Sequence, residues 1–318
     1  PLVEKMKALG IPVYQLPMKN ILDLAAAKKL AKIVKDGAYD VIHAQYPREN
    51  YIAILSRFFG CRAKIVFTSH LIMEQPPVWR MLNRIFTPHD HAVLTVCTYG
   101  KEVLERGGVA KDKIRIVFNG VNAAASPERD RSVLREFGIG DEEKVITILT
   151  RFSEEKGVPF LLRSIAKLKE KTAVPFRLLL VGTGPDFDRD KELLPQLGIE
   201  DKVVLTGFRS DTASLLAASD IYLNSSSSEA MSFAILEALG AGLPLVLTRV
   251  GGNPELVNTG EVCGELVPYG DEEGYAAAIA RLLEDEALRS RYTAAARAKA
   301  QGEFDLYNLL EKLYKIYQ

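Results

Sequence analysis

Short runs dense in valine, isoleucine and leucine recur along the whole chain, and a helical pattern follows most of them. In the first part they fall at 11–16, 40–45, 64–70, 92–97 and 114–119. After a break they return at 145–151, 176–182, 202–207, 220–224, 244–249 and 264–268. These runs are near-continuous and do not alternate with polar residues. Strands read that way when both faces of a parallel sheet are covered and neither meets water. Among the intervening helical stretches, "LDLAAAKKLAKIVKDG" (22–37) is the clearest and closes on a glycine C-cap signal. The pattern predicts an α/β chain built on parallel sheets.

The break at 119–144 is small, polar and charged, and divides two sets of βα units. A chain of 318 residues also exceeds one ordinary core. The expected organisation is an N-terminal Rossmann-like domain over 1–122, a linker over 123–143, a second Rossmann-like domain over 144–300, and a terminal helix over 301–318 that packs back on the first domain. Two doubly wound domains of this kind face a cleft, and ligands bind at the carboxyl ends of their strands. Forty-one basic residues balance forty-one acidic ones, which argues against bulk attraction to nucleic acid. No apolar run is long enough to span a bilayer and no signal peptide is visible. Three widely spaced cysteines suit a reducing cytoplasm and form no disulfide or zinc pattern.

Candidate chemistry is sought at the strand ends. After 145–151, Arg151 sits at a strand end and Lys156 before a helix. Two cations there suit a phosphate or diphosphate, though from this feature alone an ordinary solvated loop explains them better. After 176–182, Gly182 opens a weak Gly-rich turn. Asp186 and Asp188 read better as first-turn acids of a helix than as metal ligands, so no metal is expected. After 244–249, the Gly251–Gly252 pair marks a flexible or close-approach turn, and a plain βα turn explains it equally well. His70 ends the run 64–70 and so points to the same cleft, where it can donate a hydrogen bond or act as acid or base. His43 lies inside a strand and reads as a satisfied core residue.

The richest stretch is "SSSSEAMSFAILEALGAGLPL" (225–245). Read as a helix that starts near Glu229, it sets Glu229 and Glu237 roughly 12 Å apart along the axis and about 80° apart around it, both on one side of a cleft. The amides of Met231, Ser232 and Phe233 would then be the free N–H groups of a helix start, an anion site. Glu229 is explained equally well as a dipole partner. Glu237, among apolar neighbours, is not easily explained as a solvated residue.

Together these stretches resemble the group 1, family 4 retaining glycosyltransferases, which use nucleotide-sugar donors and have the GT-B fold. The resemblance rests on an ordered set: "NGVN" (119–122), "TRFSEEKG" (150–157), "VGTGP" (181–185), "LTGF" (205–208), the two glutamates within 228–246, and "TRVGGNPELV" (248–257). It implies that Arg151 and Lys156 bind the donor diphosphate and stabilise its charge as it leaves. It implies that Glu237 holds the ribose hydroxyls, that Glu229 and the amides after it hold the sugar and diphosphate, and that Phe208 and Arg209 meet the base. His70 would contact the donor sugar near the reacting carbon. The family works without a metal; UDP- or GDP-sugars are the expected donors, and the acceptor would be a sugar, a lipid-linked molecule or a small molecule.

Some positions depart from the family pattern. Thr150 precedes Arg151 where glycine is usual, Ala230–Met231–Ser232 replaces Gly-Phe-Gly, and Asn122 replaces aspartate. The family begins with a strand, a Gly-rich loop, a helix and a second strand; this chain starts after them. Because a domain without them would leave sheet edges exposed, the N-terminal domain is expected to be incomplete at its start. A non-catalytic nucleotide-sugar-binding subunit and a sugar-nucleotide epimerase of the same fold stand as alternatives. Finally, "PVWRMLNRIF" (77–86) mixes Trp79 and aliphatic residues with Arg80 and Arg84. That mixture suits a helix lying on the inner face of a membrane, or more often a plain core-facing helix.

Overall fold

Each Val/Ile/Leu run that finds a parallel neighbour becomes a strand. The computed structural model describes residues 2–70, 72 and 76–318. It divides into two units. One comprises Pro1–Thr95, Val103–Arg115 and Tyr317–Gln318, the other Val96–Glu102 and Ile116–Ile316.

The first unit carries β1 (Val41–Ala44), β2 (Lys64–Ser69), β3 (Ala92–Thr95) and β4 (Ile114–Ile116), hydrogen-bonded in that order. β1 pairs with β2 and β2 with β3 in parallel. The helix Leu24–Asp36 starts where the Asp23 side chain accepts from the Ala26 amide, and it buries Ala26, Ala27, Ala31 and Val34. The run 11–16 forms no strand; Ile11 and Tyr14 are exposed. A strand needs a ladder partner for its backbone groups, and among the described residues this run has none. His43 is satisfied at both ring nitrogens, by Tyr317 Oη at 2.6 Å and Thr68 Oγ1 at 2.7 Å.

The second unit carries β5 (Lys144–Leu149), β6 (Phe176–Val181), β7 (Val203–Gly207), β8 (Ile221–Asn224), β9 (Leu245–Thr248) and β10 (Gly264–Val267). Its sheet is parallel throughout, with order β10-β9-β8-β5-β6-β7. The winding direction reverses between β5 and β8, and the crevice at such a reversal is where a doubly wound sheet binds its ligand. Ile146, Ile148, Leu178 and Leu180 pack with Leu161 and Ile165 of the helix Val158–Lys171, and with Ile279 and Leu282 of the helix Glu272–Glu284. The segment 123–143, expected as a free linker, is part of this unit. Leu134 and Ile139 are buried with Val145 and Leu179, and Arg131 donates to the carbonyls of Gly140 and Glu143. The terminal helix Leu306–Tyr317 starts beside Val121, whose amide donates to Phe304 O and whose carbonyl accepts from Leu306 N.

Candidate functional site

The loops that leave β5 and β8, on either side of the reversal, are tied to each other. Ser225 Oγ donates to Lys156 O at 2.8 Å, and the Ser227 amide donates to Glu155 O at 2.8 Å. Lys156 closes a short 3-10 turn, Glu154–Lys156, and its Nζ lies 2.8 Å from Glu229 Oε2. Ser226 Oγ donates to the same carboxylate oxygen at 3.1 Å. The Glu229 side chain keeps only 12 % of its surface in water, so the pair is screened little. Arg151, on the same β5 loop, is exposed and has no side-chain hydrogen bond or ion pair among the described residues.

The helix after β8 begins at Phe233, four residues later than the sequence predicts, and runs to Gly240. Glu229 therefore lies in the loop before it, and the axial geometry expected for the two glutamates does not hold. The free amides move accordingly, to Phe233, Ala234 and Ile235, with Met231 and Ser232 in the turn ahead. The Ser232 side chain does not cap them, which leaves a helix start suited to an anion. Asn119 Nδ2 steadies this turn by donating to Met231 O at 3.3 Å.

Glu237 lies about 6 Å along the axis from Phe233. Contrary to the packed setting expected, it is exposed to solvent, and its carboxylate has no hydrogen-bond partner among the described residues. The surrounding protein still desolvates it enough to push its carboxyl above the usual range. An exposed but poorly hydrated acceptor is well placed to take a ligand's hydroxyls.

The neighbouring strand ends complete the crevice. At Gly182, φ is +134° and an added Cβ would stand 1.9 Å from Thr150 O, so only glycine lets the β5 and β6 loops approach. An added Cβ at Gly252 would meet Ala230 O at 2.0 Å, and its amide donates to Glu229 O at 3.2 Å. Phe208 is 79 % exposed just past β7. Arg209 is held by Glu136 and Asp211, each within 2.7 Å of Nη2, and so is less free than a ligand-seeking cation. Asp186 pairs with Arg189 at 3.2 Å.

His70 belongs to the first unit, one residue beyond β2, with Nε2 2.7 Å from Gln45 Oε1. Burial lowers its pKa, which favours the neutral ring. A set of buried polar residues behind the site escaped the sequence reading. Asn224 Oδ1 accepts from Asn253 Nδ2 at 3.2 Å, and Thr248 Oγ1 donates to Ser226 O at 2.6 Å. Their only signal in the sequence was a polar residue closing each of two apolar strands.

The chain matches the family described as glycosyl transferases group 1 over residues 131–299, and the one described as glycosyltransferase family 4 over residues 3–125. It is 32% identical over 314 residues to the N-acetyl-alpha-D-glucosaminyl L-malate synthase of Bacillus anthracis, covering 96% of this chain and 80% of that one. A glycosyltransferase from Rickettsia africae superposes with a TM-score of 0.86 at 26% identity, covering 99% of this chain and 86% of the other. Anabaena HepE, solved in complex with UDP-glucose, superposes with a TM-score of 0.81 over 98% of this chain and 87% of its own; at 22% identity it shares the fold.

Proposed function

Since the chain belongs to the group 1 glycosyltransferases and so moves sugars from nucleotide-sugar donors, we propose that it uses a UDP- or GDP-sugar, needs no metal, and retains the anomeric configuration. The observation that carries this reading is the Lys156–Glu229 pair at the sheet reversal, with Arg151 and an uncapped helix start on the same crevice.

When donor enters, its diphosphate competes with Glu229 for Lys156. Arg151, Lys156 and the amides from Phe233 onward meet the phosphate charge, and Glu229 is released to the hydroxyls of the sugar. Glu237 accepts from the ribose hydroxyls, and the base lies against Phe208. His70 keeps the role the resemblance implies, contact with the donor sugar. The bond from the anomeric carbon to the phosphate oxygen breaks and its electron pair stays on that oxygen, where fixed cations and amides stabilise it. The sugar passes through an oxocarbenium-like state. An acceptor hydroxyl then attacks from the face the diphosphate leaves, passing its proton to the departing phosphate oxygen.

UDP in the Anabaena complexes and the sugar-transferring names of the relatives support this choice of donor. Calorimetry with UDP-, GDP- and ADP-sugars tests it; binding to ADP-sugars alone, or to none of the three, would overturn it. Proton NMR of the product reads the anomeric outcome; an inverted linkage removes the retention claim. Donor converted without any acceptor would make the chain an epimerase, and donor bound but never turned over would make it a binding subunit.

A further inference from the structure

The helix Pro77–Phe86 turns only part of its surface to the protein. Trp79 stacks on Tyr51 with ring centroids 5.8 Å apart, and Phe86 tilts against the same ring at 4.9 Å. Asn83 accepts from Tyr51 Oη at 2.7 Å and donates to Gly107 O at 2.8 Å. These side chains fix the helix to the first unit. Val78, Met81 and Ile85 point elsewhere, and each is 55% exposed. At about 100° per residue the three fall within about 60° of one another, as one stripe. Arg80 and Arg84 lie about 90–130° round from its centre, also exposed. Neither arginine has an ion pair among the described residues, and the helix contains no acidic residue.

We propose that this face docks on a membrane surface carrying anionic headgroups, with Val78, Met81 and Ile85 entering the acyl boundary and Arg80 and Arg84 reaching back to the phosphates. Arginine can lay its stem beside apolar atoms while its head stays at the interface. An apolar stripe flanked by unpaired cations alone matches that boundary. The helix Leu306–Tyr317 makes the contrast. It too exposes apolar residues, Tyr307, Leu310 and Tyr314, but it carries Glu311, and its Lys312 is paired with Glu303 at 3.3 Å. That mixed charge gives no preference for an anionic surface. Because the chain as a whole is neutral, the attraction must be local to the arginines. Trp79, the most membrane-like residue in the sequence, is spent on Tyr51 and does not serve as an anchor.

The test needs neither donor nor acceptor, so its result is independent of the proposed reaction. The full chain is sedimented with vesicles of phosphatidylcholine alone and of phosphatidylcholine mixed with phosphatidylglycerol. Binding is expected to the anionic vesicles only, and to weaken as salt rises. Arg80→Ala and Arg84→Ala should each weaken it about fivefold, and Met81→Glu with Ile85→Glu by tenfold or more. Near-ultraviolet circular dichroism of each variant confirms the fold, since none of these side chains packs on Tyr51. Absence of binding to anionic vesicles, or variants that bind as well as the parent chain, overturns the proposal. Self-association at rising protein concentration that Met81→Glu abolishes would assign the face to a second copy and overturn it as well.

Discussion

Lys156 and Glu229 neutralise each other across 2.8 Å, and each is the other's competitor for a donor. Lys156→Met removes the cation and leaves Glu229 with Ser226 alone, so the diphosphate meets an acid with no counter-charge. The expected loss in kcat is about 10²–10³, the size seen when one fixed group that stabilises leaving-group charge is removed. Steady-state kinetics on a UDP-sugar checks it; a loss confined to KM would mean Lys156 only binds. Glu237 should behave the other way. A grip on ribose is equally strong before and during reaction, so Glu237→Gln should raise KM about 10–100-fold and leave kcat nearly unchanged. Partial desolvation by the surrounding protein raises the pKa of Glu237, so the proton that blinds it as an acceptor binds at a higher pH than on a free glutamate. Donor affinity of the parent chain should therefore fall on acidification more steeply than that of the glutamine variant, measured by titration calorimetry over pH 5–8.

The strands were legible because a parallel strand buried on both faces must be apolar along its whole length, and β1 to β10 all lie within the Val/Ile/Leu runs or one residue outside them. The run 11–16 shows what that signal omits: composition offers a strand, and only a partner makes one. The start of the helix after β8 was misplaced for a related reason. "SSSSEA" has the look of a cap, yet Ser225 and Ser226 spend their hydroxyls on Lys156 O and Glu229, residues on a different loop or past the turn. Hydrogen bonds between loops leave no periodic trace. In the segment 123–143, charge hid the two apolar residues, Leu134 and Ile139, that pin it down. Lys299 is another case. It is buried and donates to Leu256 O and Val257 O, the last carbonyls of the helix Asn253–Asn258, which follows the Gly252 amide that holds Glu229. Lys299→Met keeps the volume but removes the charged donor from both carbonyls, leaving them the Cys263 thiol and, at Val257 O, the Cys263 amide at 3.4 Å. It should destabilise the chain by about 1–3 kcal/mol, read as a lower urea midpoint.

At the scale of the whole molecule, each unit has a core of its own, and each should answer to a different solution condition. Asp90 in the first unit is 2 % exposed and its carboxyl is pushed up to about 7 by burial, against the pull of Asn50, Arg57 and Lys113. Its Oδ2 accepts from Asn50 Nδ2 at 3.0 Å, while Asp90 Oδ1 and Asn50 Oδ1 are both buried without a donor among the described residues. A proton on Asp90 supplies one. Because the folded pKa lies above the unfolded value, the folded state binds the extra proton, and the stability this gives is complete below about pH 4 and lost as pH rises through about 7. His43 and His70 work in the opposite sense. Burial lowers both, so their contribution is present above about pH 6.5 and shrinks on acidification. The shift of Asp90 is the large one and decides the sign. The first unit should be more stable at pH 5 than at pH 8, by about 2–3 kcal/mol before the histidines reduce the difference. A nucleotide that binds the folded second unit should raise the unfolding temperature of that unit in proportion to the logarithm of its concentration. Calorimetric unfolding should then show two transitions, one moved by pH and one by UDP. Asp90→Asn, with no proton to lose, should flatten the pH response of the first transition and leave the UDP response of the second. A first transition equally stable at pH 5 and pH 8 in the parent chain would show that Asp90 is ionised in the fold and that some other group supplies its missing donor.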